Sequence, residues 1–140
     1  MREIKFRVWD NEQQEYLNTD ILHIKNDGTL LISKKGENPW SALLASGCNS
    51  ERFVIEFSTG LKDKNGTEIY EGDVVQYYPR HNGVPYRVYW ANESAKFLIG
   101  RKGVVGQELS SVMYNLDTGR IVLEVIGNIH ENPKLGEEEK

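Results

Sequence analysis

The sequence predicts a mainly β protein, with a small barrel in the C-terminal half, an N-terminal β-meander and one or two short helices. Short runs of β-branched and aromatic residues recur along the chain. Turn signals containing glycine separate these runs. Helical features are confined to two segments, Pro39–Ala45 and Gln107–Tyr114.

The first predicted strand runs from Arg2 to Trp9, where apolar and charged residues alternate. Ile4, Phe6 and Val8 fall on one face, which we expect to be buried. Lys5 and Arg7 fall on the other face with Glu3, and we expect this basic face to contact water.

A small meander follows. Ile21–Ile24 and Thr29–Ile32 flank an Asn-Asp-Gly turn signal at residues 26–28. Pro39–Ala45 starts with proline and ends before a glycine, which favours a turn or two of helix.

The most informative stretch is Ser58–Tyr77, in which two chain reversals surround a short strand. Asn65-Gly66 predicts a type I′ hairpin turn, since both central residues must take positive φ. Gly72 is expected to take a left-handed conformation, and the Asp73 carboxylate to accept hydrogen bonds from nearby amides. A diverging turn of this kind is common in SH3-like barrels.

The remaining barrel strands are predicted from similar patterns. Arg52–Phe57 alternates, with Phe53, Ile55 and Phe57 expected to point inward. A turn around residues 81–83 should join the Val74 strand to the next one. The further predicted elements are strands at Tyr86–Trp90 and Ala95–Gly100, a slightly favoured short helix in Gln107–Tyr114, and a central, barrel-closing strand at Ile121–Ile129.

Three blocks carry a resemblance to a known family: REIKFRVWD (Arg2–Asp10), the Ser58–Tyr77 run and VIGNIHENPKL (Val125–Leu135). In these blocks the chain resembles the YopX family, which bacteriophages and prophages of Gram-positive bacteria encode and whose biochemical role is not established. The resemblance implies an SH3-like barrel preceded by an N-terminal β extension. It implies no catalytic residues.

Length and composition fit this organisation. The 140 residues divide into a predicted β extension (1–50), an SH3-like barrel (51–132) and a disordered acidic tail (133–140). The single cysteine, Cys48, excludes an internal disulfide, and no long apolar run is present, so we expect a protein of the bacterial cytoplasm that does not bind membranes. The net charge of −4 argues against a uniformly basic, nucleic-acid-binding face.

Candidate catalytic and metal-binding residues do not form recognisable sets. His23, His81 and His130 are far apart in sequence, and Cys48 has no identifiable activating base nearby. The oxygen-rich segment around Asp63 lacks the distal glutamate of a calcium loop and is better explained by turns. The sequence therefore predicts no catalytic residue, cofactor or metal, and no enzymatic activity.

The aromatic residues of the barrel are the better candidates for function. Tyr77 and Tyr89 are predicted to be exposed, and with Arg80 and Arg87 they form the candidate partner-binding surface, to which Arg101 and Lys102 could add positive charge. Such a surface can bind a proline-rich peptide or stack on a base. The alternative is that these tyrosines pack along their strands with wet hydroxyl groups.

Two classes of function remain. The preferred one is a noncatalytic binding module, encoded by a phage or prophage, that docks on a host or phage protein; self-association through exposed strands is one version. The alternative is nucleic-acid binding through strand aromatics and local Arg and Lys side chains.

Overall fold

The computed structural model describes residues 4–17, 22–24, 26, 30–32, 43–45, 52–77, 84–114 and 117–135. These residues form twelve β-strands and one short helix, so the predicted mainly β class is confirmed. The chain divides into two compact units, one containing residues 6–56 and the other residues 1–5 and 57–140. No helix in the described part of the chain is both long and apolar enough to span a membrane.

The unit of residues 6–56 contains two antiparallel arrangements. Its strands are β1 (Phe6–Asp10), β2 (Glu15–Tyr16), β3 (Leu22–Ile24), β4 (Leu30–Ile32), β5 (Leu43–Ala45) and the start of β6 (Phe53–Lys62). β1 pairs with β2, and the Asn11 amide donates to the Arg52 carbonyl oxygen beside β6. β3, β4 and β5 form a separate sheet in that order, and its first hairpin is the predicted meander.

The predicted helix at Pro39–Ala45 is wrong for its last three residues. Leu43–Ala45 form strand β5, in which Leu44 lies opposite Leu31 of β4. A short apolar run does not distinguish a strand from a buried helix, and pairing with β4 decides the conformation here. The start of the predicted helix lies outside the described residues, as do residues 27 and 28 of the turn predicted at residues 26–28.

The other unit contains a five-stranded antiparallel sheet with the order β11-β10-β9-β8-β12. Its strands are β8 (Asp73–Tyr77), β9 (Tyr86–Ala91), β10 (Lys96–Arg101), β11 (Val104–Glu108) and β12 (Leu123–Asn128). The end of β6 pairs with β7 (Glu68–Tyr70), and helix α1 (Leu109–Val112) confirms the short helix predicted in this region. One of the antiparallel sheets curls into a half-barrel.

The core of this unit lies on one face of the five-stranded sheet. We call this face the core face and the opposite one the outer face. Leu109 and Met113, from α1 and the residue after it, pack there against strand residues, and all members of the cluster are almost completely buried. The cluster comprises Ile69, Val75, Val88, Ile99, Leu109, Met113 and Leu123.

The prediction of a central strand at Ile121–Ile129 is wrong in its placement. β12 lies at the end of the five-stranded order and pairs with β8. Its apolar sequence reflects cover on both faces, since Leu123 belongs to the core cluster and Gly127 lies against Asn132 and Leu135 of the C-terminal turn. Residues 136–140 lie outside the described part, so a disordered tail stays a prediction there.

Two predicted strand faces differ from the structure. Ile4 is 77% exposed, whereas the Arg7 side chain retains only 19% of its exposure because it pairs with the buried Glu56. Phe57, which the alternation predicts to be buried, is 39% exposed, while Ser58 beside it is buried. Glu56 and Ser58 of β6 can be buried because they have hydrogen-bond partners, which an alternation of hydrophobicity does not report.

Candidate functional site

The predicted turn at Asn65-Gly66 has a different geometry from the expected type I′ turn. Lys62 pairs with Glu68, so residues 63–67 form a five-residue loop. Gly66 has a φ of 81°, but Asn65 is not among the described residues with positive φ. The loop is organised by the buried Asp63 carboxylate, which accepts hydrogen bonds from the amides of Asn65 and Thr67, both at 2.9 Å.

The second predicted reversal is centred on Gly72, which has a φ of 83°. The Asp73 carboxylate accepts a hydrogen bond from the Tyr70 amide at 2.8 Å. The Gly72 amide donates to the Val88 carbonyl oxygen, and its own carbonyl oxygen accepts from the Ile129 amide, both at 2.9 Å. Gly72 therefore connects the backbone of β9 to the residue that follows β12.

The predicted partner-binding residues do not form one surface. Val75 lies opposite Tyr86, which places Tyr77 on the core face; Arg87 and Tyr89, at odd spacing from Tyr86, point to the outer face. Arg80 lies outside the described residues. The structure thus brings Arg87 and Tyr89 to one side of the sheet and leaves Tyr77 on the other.

Tyr77 is half-buried rather than exposed. Its ring packs edge-to-face against Tyr86, with ring centroids 5.5 Å apart and an interplanar angle of 81°. Its hydroxyl lies 3.4 Å from Oε1 of Gln107. Burial, with a smaller contribution from Tyr86, raises the pKa of the Tyr77 hydroxyl, which therefore stays a neutral donor at physiological pH.

Tyr89 is also half-buried, and its neighbours explain why. Its ring lies across Gly100 and Gly106, the glycines of β10 and β11. A Cβ atom at Gly106 would overlap the Tyr89 hydroxyl, and one at Gly100 would lie 3.2 Å from the ring. The two glycines provide the space that the ring fills, so Tyr89 has a packing role on the outer face.

Trp90, the tryptophan of the five-stranded sheet, was not among the residues predicted to bind a partner. Trp90 is 42% exposed and lies opposite Phe97 in the β9–β10 pair. The two rings pack edge-to-face with centroids 4.9 Å apart. The signal available in the sequence was the turn NESA at residues 92–95, since a hairpin closed there places these two aromatic residues opposite each other.

Arg101 ends β10 on the core face, two residues beyond the buried Ile99. It lies opposite Val104 across the bulged pairing with β11. Its Nε atom is buried and has no hydrogen-bond partner, the only such side-chain atom in the described part of the chain.

The buried carboxylates of residues 6–56 are held in two networks. Asp10 is 1% exposed, and its carboxylate accepts hydrogen bonds from Nε and Nη2 of Arg52, each at 3.0 Å. These bonds, opposed by burial, lower the pKa of the Asp10 carboxyl. Glu56 accepts from Nε of Arg7 at 2.9 Å and from the Tyr16 hydroxyl at 3.0 Å.

These carboxylates have structural partners, and they do not form a metal site with other ligands. No cluster of three or more His, Cys, Asp or Glu side chains suited to a metal ion occurs among the described residues. The chemistry that the site offers is therefore contact through aromatic rings and through the Arg101 guanidinium.

Comparison with known proteins identifies the family. The family model described as YopX protein matches residues 5–137. The chain belongs to the YopX family. This finding confirms the resemblance seen in the three sequence blocks, and no curated protein gives a significant match.

Two solved structures extend the comparison of this YopX-family chain. The crystal structure of protein EF1440 from Enterococcus faecalis has 29% sequence identity and a TM-score of 0.63, covering 98% of this chain and 100% of that one. The crystal structure of protein yopX from Bacillus subtilis has 19% identity and a TM-score of 0.59, covering 100% of both chains. The second likeness concerns the fold alone.

Proposed function

We propose that this YopX-family chain is a noncatalytic binding module, encoded by a phage or prophage, that docks on a host or phage protein in the bacterial cytoplasm. The observation that carries the proposal is the Trp90–Phe97 pair, in which an ordered indole ring remains 42% exposed at the end of a β-hairpin. We call these two residues the aromatic ledge. Tryptophan is among the residues that most often dominate the binding energy of protein interfaces.

The ledge has the properties of an anchor for a protein partner. The rings of Trp90 and Phe97 already pack against each other, with centroids 4.9 Å apart. Little side-chain entropy therefore remains to be lost on binding. Burial of the remaining indole surface would provide apolar contact, and its N–H group can donate a hydrogen bond to a partner.

A noncatalytic role agrees with the state of the buried acids. Asp10 and Glu56 are bonded to arginines, and Asp63 and Asp73 accept hydrogen bonds from backbone amides. A carboxylate that fixes a loop or an arginine in this way is poorly placed to act as a general base, because protonation would weaken the bonds that hold it.

A protein partner is preferred to nucleic acid because the expected stacking groove is divided. Tyr77 and Tyr89 lie on opposite faces of the five-stranded sheet, and the Tyr89 ring is covered in part by the strands that carry Gly100 and Gly106. Stacking on single-stranded nucleic acid needs aromatic rings and positive charge along one groove. The net charge of −4 adds to this preference.

The test compares three proteins as baits in lysate from a lysogenic or infected host, with quantitative mass spectrometry of the bound proteins. The baits are the wild type, Trp90→Ala and Tyr114→Ala, the last removing an aromatic residue that is 48% exposed elsewhere in the same unit. We expect one host or phage protein to bind the wild type and Tyr114→Ala and to be lost from Trp90→Ala.

The partner is then purified and its affinity measured directly. Removal of an indole anchor should weaken binding at least about tenfold, since such residues contribute roughly 2 kcal/mol or more. Thermal unfolding of Trp90→Ala checks that the variant is folded. Equal binding of a purified partner by the wild type and folded Trp90→Ala contradicts the proposed docking surface.

A further inference from the structure

The Arg101 guanidinium occupies a different part of the core face from the aromatic ledge. The core face of β10 carries three side chains, at every second position. Phe97 of the ledge lies at one end, the buried Ile99 in the middle and Arg101 at the other end. Tyr86 on the neighbouring strand β9 lies on the same face, and Tyr77 packs against it. Gln107 reaches the Tyr77 hydroxyl at 3.4 Å.

The Nε–H group of Arg101 is the unusual feature at this end of the core face. It is buried, and no described residue accepts its hydrogen bond. A buried donor without an acceptor destabilises a protein by about 1–3 kcal/mol, and more for a charged group, so such groups are rare unless something else supplies the acceptor.

The surrounding side chains define what that acceptor can be. Tyr77 stays neutral because its pKa is raised, and Gln107 is uncharged, so neither compensates the guanidinium. A guanidinium presents its donors as a fork that matches the two oxygen atoms of a carboxylate. The same bidentate geometry holds Asp10 to Arg52 in this protein, through Nε and Nη2 at 3.0 Å each.

We infer that Arg101 is a carboxylate-binding site, at which the side chain of an aspartate or glutamate in a peptide segment of another protein is bound at the end of the core face that carries Tyr77 and Tyr86. The charge complementarity is direct, one half-buried guanidinium for one anion, and the tyrosine rings on the same face would lie beside the aliphatic part of the incoming side chain. A single guanidinium suits a single carboxylate better than a nucleic-acid backbone, which is bound through several phosphates.

The inference is independent of docking at Trp90, and small probes test it without any partner protein. The Arg101 Nε–H signal is followed by 15N–1H NMR of the full chain and is assigned by its absence in Arg101→Lys. N-acetylglutamate amide is titrated at constant ionic strength, with N-acetylglutamine amide as the uncharged control and inorganic phosphate as the competing anion. We expect a saturable shift with the glutamate derivative and none with the glutamine derivative.

Two variants complete the test. Arg101→Met should weaken binding of the glutamate derivative about tenfold or more, as backbone amide shifts near Val104 report, because a charge-assisted hydrogen bond is lost. Arg87→Met removes an exposed arginine from the outer face of the neighbouring strand and should bind within about twofold of the wild type. The thermal midpoint of Arg101→Met should equal or exceed that of the wild type, since no internal hydrogen bond is removed.

Three results would overturn the inference. One is the absence of any saturable shift at Arg101, and another is tighter binding of phosphate than of the glutamate derivative, which would assign the site to phosphoryl groups. The third is equal binding by Arg101→Met and the wild type. If Arg101→Met fails to fold, the titration of the wild-type protein decides alone.

Discussion

The Asp63 carboxylate accepts a hydrogen bond from the Val125 amide at 2.9 Å, across 62 residues of sequence. The same side chain closes its own loop through the amides of Asn65 and Thr67, and the Lys64 amide donates to the Leu123 carbonyl oxygen at 2.9 Å. The loop between β6 and β7 is thereby fixed to β12. This contact covers an edge of β12 that would otherwise expose unpaired backbone groups.

Replacement of Asp63 by alanine should destabilise the protein by about 3 kcal/mol, because it leaves three amides without their acceptor in a buried site. Urea unfolding measures the loss. Asp63→Asn, which keeps one accepting oxygen, should fall between alanine and the wild type. Glu93→Ala, in an exposed turn, is the control and should change stability by less than about 0.5 kcal/mol. If Asp63→Ala has the same free energy of unfolding as the wild type, the loop does not depend on this carboxylate.

Replacement of Gly72 by valine should destabilise the fold by a few kcal/mol, because a β-branched residue is strongly disfavoured at a φ of 83°. The position is buried, and both its backbone groups are hydrogen-bonded to other strands. Gly119→Val is the matched comparison, since Gly119 has a φ of 66° but a Cβ atom added there would meet no other atom within 4 Å. Denaturant unfolding should show a clearly larger loss of unfolding free energy for Gly72→Val than for Gly119→Val. Equal losses would mean that only the positive φ matters and that the burial and backbone hydrogen bonds of Gly72 do not.

Replacement of Gly106 by alanine should destabilise the protein by about 1–3 kcal/mol, because the added methyl group overlaps the Tyr89 hydroxyl. Removal of the hydroxyl and ring in Tyr89→Leu should relieve this overlap. The double variant is therefore expected to be more stable than the sum of the two single losses predicts, which a double-mutant cycle measures. Additive losses would place the Tyr89 ring elsewhere.

The pair of Asp10 and Arg52 should contribute to the pH dependence of stability. Its hydrogen bonds to Arg52 lower the Asp10 pKa below the ordinary value of 3.8, so the contribution is complete above that value and is lost as the pH falls through the lowered folded value. Arg52→Met should consequently lose less stability than the wild type when the pH falls from about 5 to about 3. Urea midpoints across this range provide the measurement.

Arg120→Met serves as the control for that experiment, because Arg120 is exposed and in the other unit. Its midpoints should follow the wild-type pH dependence. Parallel curves for Arg52→Met and the wild type would mean that Arg52 does not lower the pKa of Asp10.

Local patterns in the sequence predicted much of the fold. The strands β3 and β4, the hairpin of β8 and β9, and helix α1 lie where alternation, turn residues and helical spacing place them. The position of β12 could not be found in this way, because an edge strand covered by a loop has the same apolar composition as a central strand. The burial of Glu56 depends on Arg7, 49 residues away, which no local pattern reports.

The candidate site was less predictable than the fold. The aromatic and basic residues could be counted, but their division between the two faces depends on the register of β8 against β9, where Val75 lies opposite Tyr86. Tyr89 was expected to be exposed, and its contact with Gly100 and Gly106 is formed only when three strands align. Exposure of Trp90 likewise follows from how far the core extends along β9, which is a tertiary property.

The long sequence separation between Asp63 and Val125 has a consequence for the order in which the nascent protein matures. At a ribosomal rate of roughly 5–20 residues per second, the 62 residues from Lys64 to Val125 take about 3–12 seconds to synthesise. During this interval the loop between β6 and β7 lacks the strand that it anchors, and a truncated product ending before Val125 would leave the Asp63 carboxylate without one of its three amide donors. An incomplete chain of this kind therefore differs from the folded protein by a β6–β7 loop that has no strand to bind.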